Sequence, residues 1–221
     1  MDDKVPELYQ FRFQPEERAR KQRVWAEICR YLEQRYVGPA DTVLDVGAGD
    51  CSFVNQIRCA RRLAVDLSPH LPEHAGPGVE PHVCDLAELP GLGLPPVDVV
   101  FASNVFEHVR SKELLITTLE HVHGLLRPGG RLIVMQPNLR YMGGEYWDFL
   151  DHHIPLTHRS MEEVLHLTGF EIEELRPRFL PYTTKSRLPQ HPALVWLYLR
   201  CRPAHRLLGR QMLVIARKPV S

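Results

Sequence analysis

Apolar residues recur along the chain with two different periods, and the alternation between them lays out the architecture. Over residues 15–36, Val24, Trp25, Ile28, Cys29, Leu32 and Tyr36 return at helical spacing while Glu and Arg fill the opposite face, which predicts an amphipathic helix. Gly38-Pro39 breaks it. Residues 42–46 then form a short β-rich run that ends at Gly47-Ala48-Gly49, and 52–58 reads as the start of a helix. Similar apolar runs follow at 62–67, 79–85, 97–102 and 131–136. Between the last two, Leu114, Leu115, Leu119, Val122, Leu125 and Leu126 keep a helical period over 111–126, so this crossover is β-α-β and the sheet is parallel. Continuously apolar strands suit such a buried sheet. Further on, 160–167 reads as a helix, 169–175 as an alternating strand and 212–216 as a final apolar strand. The stretch 177–208 is rich in Pro and Arg, with one apolar segment at 193–199.

Charge and cysteine usage narrow the class. In 221 residues, 27 Lys and Arg balance 27 Asp and Glu, so no cationic excess supports a nucleic-acid binder. The five cysteines, Cys29, Cys51, Cys59, Cys84 and Cys201, are scattered without a C-x-x-C pair, so no zinc site is read from them. A reducing cytoplasm is the expected compartment. The N-terminus lacks a basic region followed by an apolar one, and no run of about 18 apolar residues occurs, so neither export nor a membrane span is expected.

The chemistry concentrates at strand ends. A strand running into Gly-x-Gly lets a ligand approach bare backbone, and a following helix N-terminus offers free N–H groups, although a tight turn alone would also explain the glycines. Asp45 lies two residues before Gly47, where its charge opposes a pyrophosphate but suits a cationic amine or sulfonium. The third glycine of a dinucleotide fingerprint would fall at Ser52. Asp66 ends the second run, where a carboxylate can accept both hydroxyls of a ribose; Asp85 ends the third, within reach of an adenine amino group. Either acid alone also reads as a helix N-cap. Three acids at successive strand ends of an open α/β sheet line one crevice.

With these residues in place the sequence resembles the class I S-adenosylmethionine-dependent methyltransferases, in particular the small-molecule, type 11/12-like enzymes around the ubiquinone-biosynthesis group. The resemblance rests on Leu44-Asp-Val-Gly-Ala-Gly49, Val65-Asp66, Cys84-Asp85-Leu86, the stretch from Asp98 through Ser103-Asn104 to Glu107-His108-Val109, Leu126-Arg-Pro-Gly-Gly130 and Thr168-Gly-Phe170. Cys51 departs from it, standing where many relatives carry a third glycine. The resemblance implies a Rossmann-like α/β fold with a seven-stranded, mostly parallel sheet ordered 3-2-1-4-5-7-6, strand 7 antiparallel, and helices on both faces. It also implies S-adenosyl-L-methionine as cofactor. Asp45, Gly47 and Gly49 would lie near its methionine moiety, Asp66 at the ribose, Asp85 and Leu86 at the adenine, with Ser103 and Asn104 flanking it and Leu67 also binding it. Arg12 or Arg18 could pair with the cofactor carboxylate through a guanidinium fork, although an exposed arginine on a helix face is the first reading of either. One domain over 1–221 is expected: a helical segment at 1–38, a cofactor-binding core at 39–136 and acceptor-side elements at 137–221.

Methyl transfer asks mainly for alignment, plus a base where the acceptor must lose a proton. The base candidates are Glu107 and His108 after the fourth strand, and Asp151, His152 and His153 after the fifth, with His153 placed first and His152 as its alternative. Glu107-His108 suits a cofactor-pocket or framework role ahead of catalysis. Residues 137–155, with Tyr141, Gly143-Gly144, Tyr146 and Trp147, suit an acceptor lid or a packed loop. Lys185 and Arg187 read first as part of a solvated loop, and would otherwise suit a phosphorylated or polyhydroxylated acceptor. The segment 193–199 with its arginines reads as a core or oligomer-contact helix before an anionic membrane surface. The expectation is an O-methyltransferase for a small-molecule acceptor, monomeric or homodimeric. Its rivals are an NAD- or nucleotide-sugar-dependent α/β enzyme and a non-catalytic cofactor-binding regulator.

Overall fold

The computed structural model describes residues 15–182 and 191–220. Seven strands share one sheet: β1 (Thr42–Val46), β2 (Arg61–Asp66), β3 (Val79–Val83), β4 (Val97–Ser103), β5 (Leu126–Pro137), β6 (Glu171–Arg176) and β7 (Gln211–Arg217). Their order is β3-β2-β1-β4-β5-β7-β6. The pairs from β3 to β5 are parallel, and β7 runs antiparallel to both of its neighbours. Both the order and the reversed seventh strand match the expected Rossmann-like sheet.

Alternate residues of the central strands feed two cores. Leu44 and Val46 of β1, with Val100 and Ala102 of β4, pack toward α3 (Lys112–Leu125) and α5 (His158–Leu167). Val43, Val99, Phe101 and Ile133 pack on the other face toward α1 (Pro15–Glu33). Burial on both faces is why these strands are apolar throughout. Short helices α2 (Leu71–His74) and α4 (Leu139–Met142) sit in connections, while α6 (Pro192–Arg200) and α7 (Arg202–Leu208) precede β7. No helix among the described residues is long and apolar enough to cross a membrane.

Several boundaries differ from the sequence reading, each for a local reason. No regular helix forms over 52–58; the segment is a run of turns. One helical turn begins, with Asn55 N–H donating to the Cys51 carbonyl and Ile57 N–H to the Phe53 carbonyl at 3.0 Å each, but it is not continued, and side chains also bond this backbone. Ser52 N–H donates to Asp50 Oδ1 at 3.2 Å, Gln56 Nε2 donates to the Ser52 carbonyl at 2.8 Å, and the Cys29 thiol donates to the Phe53 carbonyl at 3.6 Å. Cys84 and Asp85 lie beyond β3, and Leu67 lies just beyond β2. The segment at 193–199 is helical, within α6.

Candidate functional site

The C-terminal ends of β1, β2, β3 and β4 open onto one edge of the sheet, and the turn after β1 is fastened there. Gly47 and Ala48 N–H groups donate to the Val65 carbonyl at 2.8 and 3.1 Å, and Gly49 N–H donates to Asp66 Oδ2 at 2.8 Å. The other Asp66 oxygen accepts from Ser68 N–H at 2.8 Å. Asp66 therefore joins two strand-end loops while each oxygen keeps a second lone pair. Gly47 has φ +67, and a Cβ placed on it would lie 2.2 Å from Val105 Cγ2, so only glycine fits under the turn that follows β4. Gly49 has φ +53 and its absent Cβ faces open space. That open cradle over bare backbone is what a cofactor's polar end requires.

Asp45 is buried at the base of this cradle. Burial, reinforced by the charge of Asp66, raises its pKa well above the usual carboxylate range. An acid held so is relieved by a nearby cation, which favours a sulfonium over a pyrophosphate. Cys51, fully buried, adopts φ +57. A left-handed residue at this position explains why a glycine would serve there. Burial, with Asp45 nearby, pushes its thiol up to about 12, so it is not a nucleophile.

α1 closes over the turn, a contribution that the sequence pattern did not show. Trp25 meets Phe53 and Phe101 edge-on at 6.3 and 6.0 Å, and those two rings stack at 3.7 Å. Lys21 donates to Asp50 at 2.7 Å and Gln22 to Ser52 at 3.2 Å. Burial would raise the Asp50 pKa, but Lys21 and the Ser52 hydrogen bonds outweigh it and hold the carboxyl below its ordinary value. Arg12 lies outside the described residues, as do Lys185 and Arg187, and the Arg18 side chain is not among those described.

Asp85 accepts from Ala87 N–H at 2.9 Å and caps the 3-10 turn Leu86–Leu92 with Glu88 as its reciprocal partner. Leu86 is partly buried against the core, whereas Leu67 is 45% and Val83 46% exposed, an apolar pair beside Asp66 at the edge. Ser103 ends β4, and Asn104 follows at φ +52, its Oδ1 accepting from Gln211 Nε2 at 3.1 Å.

A second cluster lies beyond β4, in the 3-10 turn Phe106–His108. Glu107 is fully buried, and burial above all pushes its carboxyl up to about 7. The segment after α4 and the 3-10 turn Gly143–Asp148 folds back onto it: His153 and Ile154 N–H groups donate to the Glu107 carbonyl at 2.7 and 3.2 Å. This brings His152 inward, its ring 5.0 Å from that of His108, 4.7 Å from Tyr146 and stacked on Phe149 at 5.1 Å. His108 Nδ1 lies 2.9 Å from the Asp151 carbonyl and 3.5 Å from its carboxylate. His153 is exposed, and its backbone is what joins it to Glu107. Of the expected base candidates, the fold thus gathers Glu107, His108, Asp151 and His152 and leaves the His153 side chain outside.

An open sheet of this order, a glycine cradle over a buried acid and an acid at the end of β2 define a class I S-adenosylmethionine-dependent methyltransferase domain. The chain belongs to the family described as "Methyltransferase domain", whose pattern matches residues 10–175. Among solved structures it is similar to an S-adenosylmethionine-dependent methyltransferase from Archaeoglobus fulgidus, with TM-score 0.68 and 20% identity over 95% of this chain and 100% of that one. It is also similar in fold to the carbon methyltransferase of CurJ, with TM-score 0.52 and 18% identity over 85% of this chain and 51% of that one. A highly reducing polyketide synthase of Pyricularia oryzae is 30% identical over 135 residues, 52% of this chain. The chain spans only 5% of that relative's length.

Proposed function

We propose that this chain, acting as one domain, transfers the methyl group of S-adenosylmethionine to a hydroxyl oxygen of a small-molecule acceptor. The observation that carries the acceptor reading is the gathering of Glu107, His108 and His152 where the β4 turn meets the loop after β5. An acceptor that must lose a proton needs such a group, and a cluster holding a carboxyl near 7 can exchange protons at neutral pH. Asp45 and the Gly47–Gly49 backbone receive the methionine end of the cofactor, Asp66 the ribose, and Leu67 with Leu86 and Asp85 the adenine. Ser103 and Asn104 border its sulfur side. His152 and His108 take the proton role ahead of His153, because burial among aromatic rings fixes a base in place. The sulfonium itself activates the methyl carbon, so the protein aligns oxygen, carbon and sulfur.

The likeness to the carbon methyltransferase of CurJ favours one other reading, transfer to a carbon acid flanked by carbonyls, which needs the same base. The test is turnover on hydroxyl-bearing and β-dicarbonyl acceptors, with the product's methyl position assigned by NMR. An O-methyl ether supports the first reading and a C-methyl product the second. Failure to bind S-adenosylhomocysteine in calorimetry would overturn both. His152→Ala is expected to lower kcat about 10²- to 10⁴-fold, the usual range for a lost base, with cofactor affinity nearly unchanged. His153→Ala is expected to stay near wild type, and a collapse confined to that variant would return the role to His153.

A further inference from the structure

Glu107 has the least explained side chain in the fold. It is completely buried, and neither carboxylate oxygen has a hydrogen-bond partner. Buried polar groups are nearly always satisfied, so an orphan carboxylate calls for a proton or a cation. Two imidazoles surround it, and one ligand atom each from Glu107, His108 and His152 lies within 4.8 Å of the others.

His108 is oriented for coordination. Its Nδ1 sits 2.9 Å from the Asp151 carbonyl, which has only lone pairs to offer, so Nδ1 carries the proton. Its Nε2 then keeps a lone pair, 4.0 Å from Glu107 Oε1. A ring N–H fixed on a carbonyl while the other nitrogen faces an acid is the arrangement that sets metal-binding histidines. His152 is held by the Phe149 and Tyr146 rings, and the backbone bonds to the Glu107 carbonyl lock the two segments together.

We propose that Glu107, His108 and His152 bind a divalent transition-metal cation of the zinc class, leaving at least one coordination position for the acceptor. Two imidazoles and one carboxylate suit zinc, cobalt or nickel; magnesium and calcium prefer oxygen donors. Ligands of a tetrahedral zinc stand about 3.3 Å apart, given bonds near 2 Å, so binding draws the three groups inward. The catalytic part of the inference rests on the methyltransferase reading and, once the ion is bound, moves the proton role from the two imidazoles, whose lone pairs are then committed as ligands, to the ion. A coordinated hydroxyl loses its proton to water more readily, its oxygen forms the bond to the methyl carbon, and the carbon–sulfur electron pair stays on sulfur to leave a neutral thioether.

The test uses the whole chain, stripped with a chelator and titrated with Zn(II) against a competing chelator, and with Co(II) followed by visible absorption. One ion per chain is expected, with Glu107→Gln and His152→Ala each weakening binding about 100-fold or more. His70→Gln, at the surface beside Glu73, should bind as the wild type does. Glutamine mimics a protonated glutamic acid, so Glu107→Gln is expected to fold; circular dichroism and S-adenosylhomocysteine binding check this. If that variant does not fold, His152→Ala and the wild-type titration decide. Absence of stoichiometric binding in the wild type, or unchanged affinity in the variants, overturns the site and leaves Glu107 a protonated core acid. No methyl donor enters the titration. A chain that binds S-adenosylhomocysteine but no metal therefore defeats only this inference, and metal binding without cofactor binding defeats the methyltransferase reading.

Discussion

Gly47 and Asp45 show how much of the turn after β1 is set by single residues. Alanine at 47 meets Val105 Cγ2 at 2.2 Å and must also adopt φ +67. The left-handed backbone costs about 1–2 kcal/mol and the overpacking about 1–3 kcal/mol. Gly47→Ala is expected to lower stability in urea by several kcal/mol, and adding Val105→Ala should recover the steric part but not the backbone part. Full recovery in the double variant would show that φ carries no strain. Asp45 predicts a pH effect. Its folded-state pKa is raised above the ordinary 3.8, so its contribution to stability is full below that value and is lost as pH rises through the folded pKa. Asp45→Asn cannot titrate, so it should gain stability relative to wild type as pH rises above 3.8 in the absence of ligand. A difference that stays flat with pH would place a counter-charge beside Asp45. Asp66→Ala should weaken S-adenosylhomocysteine binding by about 1.5–3 kcal/mol, the worth of hydrogen bonds to a charged group, and unchanged affinity in calorimetry would remove Asp66 from the site.

α1 acts as a clamp over the turn after β1, since the segment at 51–58 has no regular helix of its own to stiffen it. Trp25 fills the space between α1 and the stacked Phe53–Phe101 pair, and Lys21 and Gln22 tie the helix to Asp50 and Ser52. Trp25→Ala is expected to destabilise the chain by about 2–4 kcal/mol, a large-to-small change at a site not wholly buried. It should also weaken cofactor binding, because the loop that presents Gly49 loses its cover. Loss of stability with unchanged cofactor affinity would confine α1 to a packing role. Lys21→Ala, partly exposed, should move stability little and the pH dependence of Asp50 more.

Taken together, the folded chain is a ligand trap whose stability reports occupancy. A ligand bound only by the folded state stabilises it by about 2.7 kcal/mol at 100 times Kd, which for a chain of this size raises Tm by roughly 5–10 °C. S-adenosylhomocysteine should give such a shift and NAD none in differential scanning fluorimetry. The reverse order would favour the dinucleotide-binding rival.

The strands were legible because their cause is local: a parallel strand buried on both faces is apolar where it is buried, as over 99–102 of β4 and 132–135 of β5, whereas the first half of β5, with Arg127, Gly129 and Gly130, carried no such signal. The three acids Asp45, Asp66 and Asp85 could be placed together because a parallel sheet aligns the ends of its strands. The 52–58 segment misled, since its apolar spacing does not reveal that its helical bonding stops after one turn, where Asp50, Gln56 and Cys29 also bond its backbone. Whether His152 or His153 turns inward was likewise open in the chain. That choice follows from hydrogen bonds between the residue 153–154 backbone and Glu107, 46 positions earlier, and no local pattern encodes a contact at such separation. The clamp of α1 and the burial of the Glu107 carboxylate without a hydrogen-bond partner belong with it. Periodicity fixes elements and the sheet's chirality fixes their edge, but side-chain direction in loops is set by what the completed fold leaves them to touch.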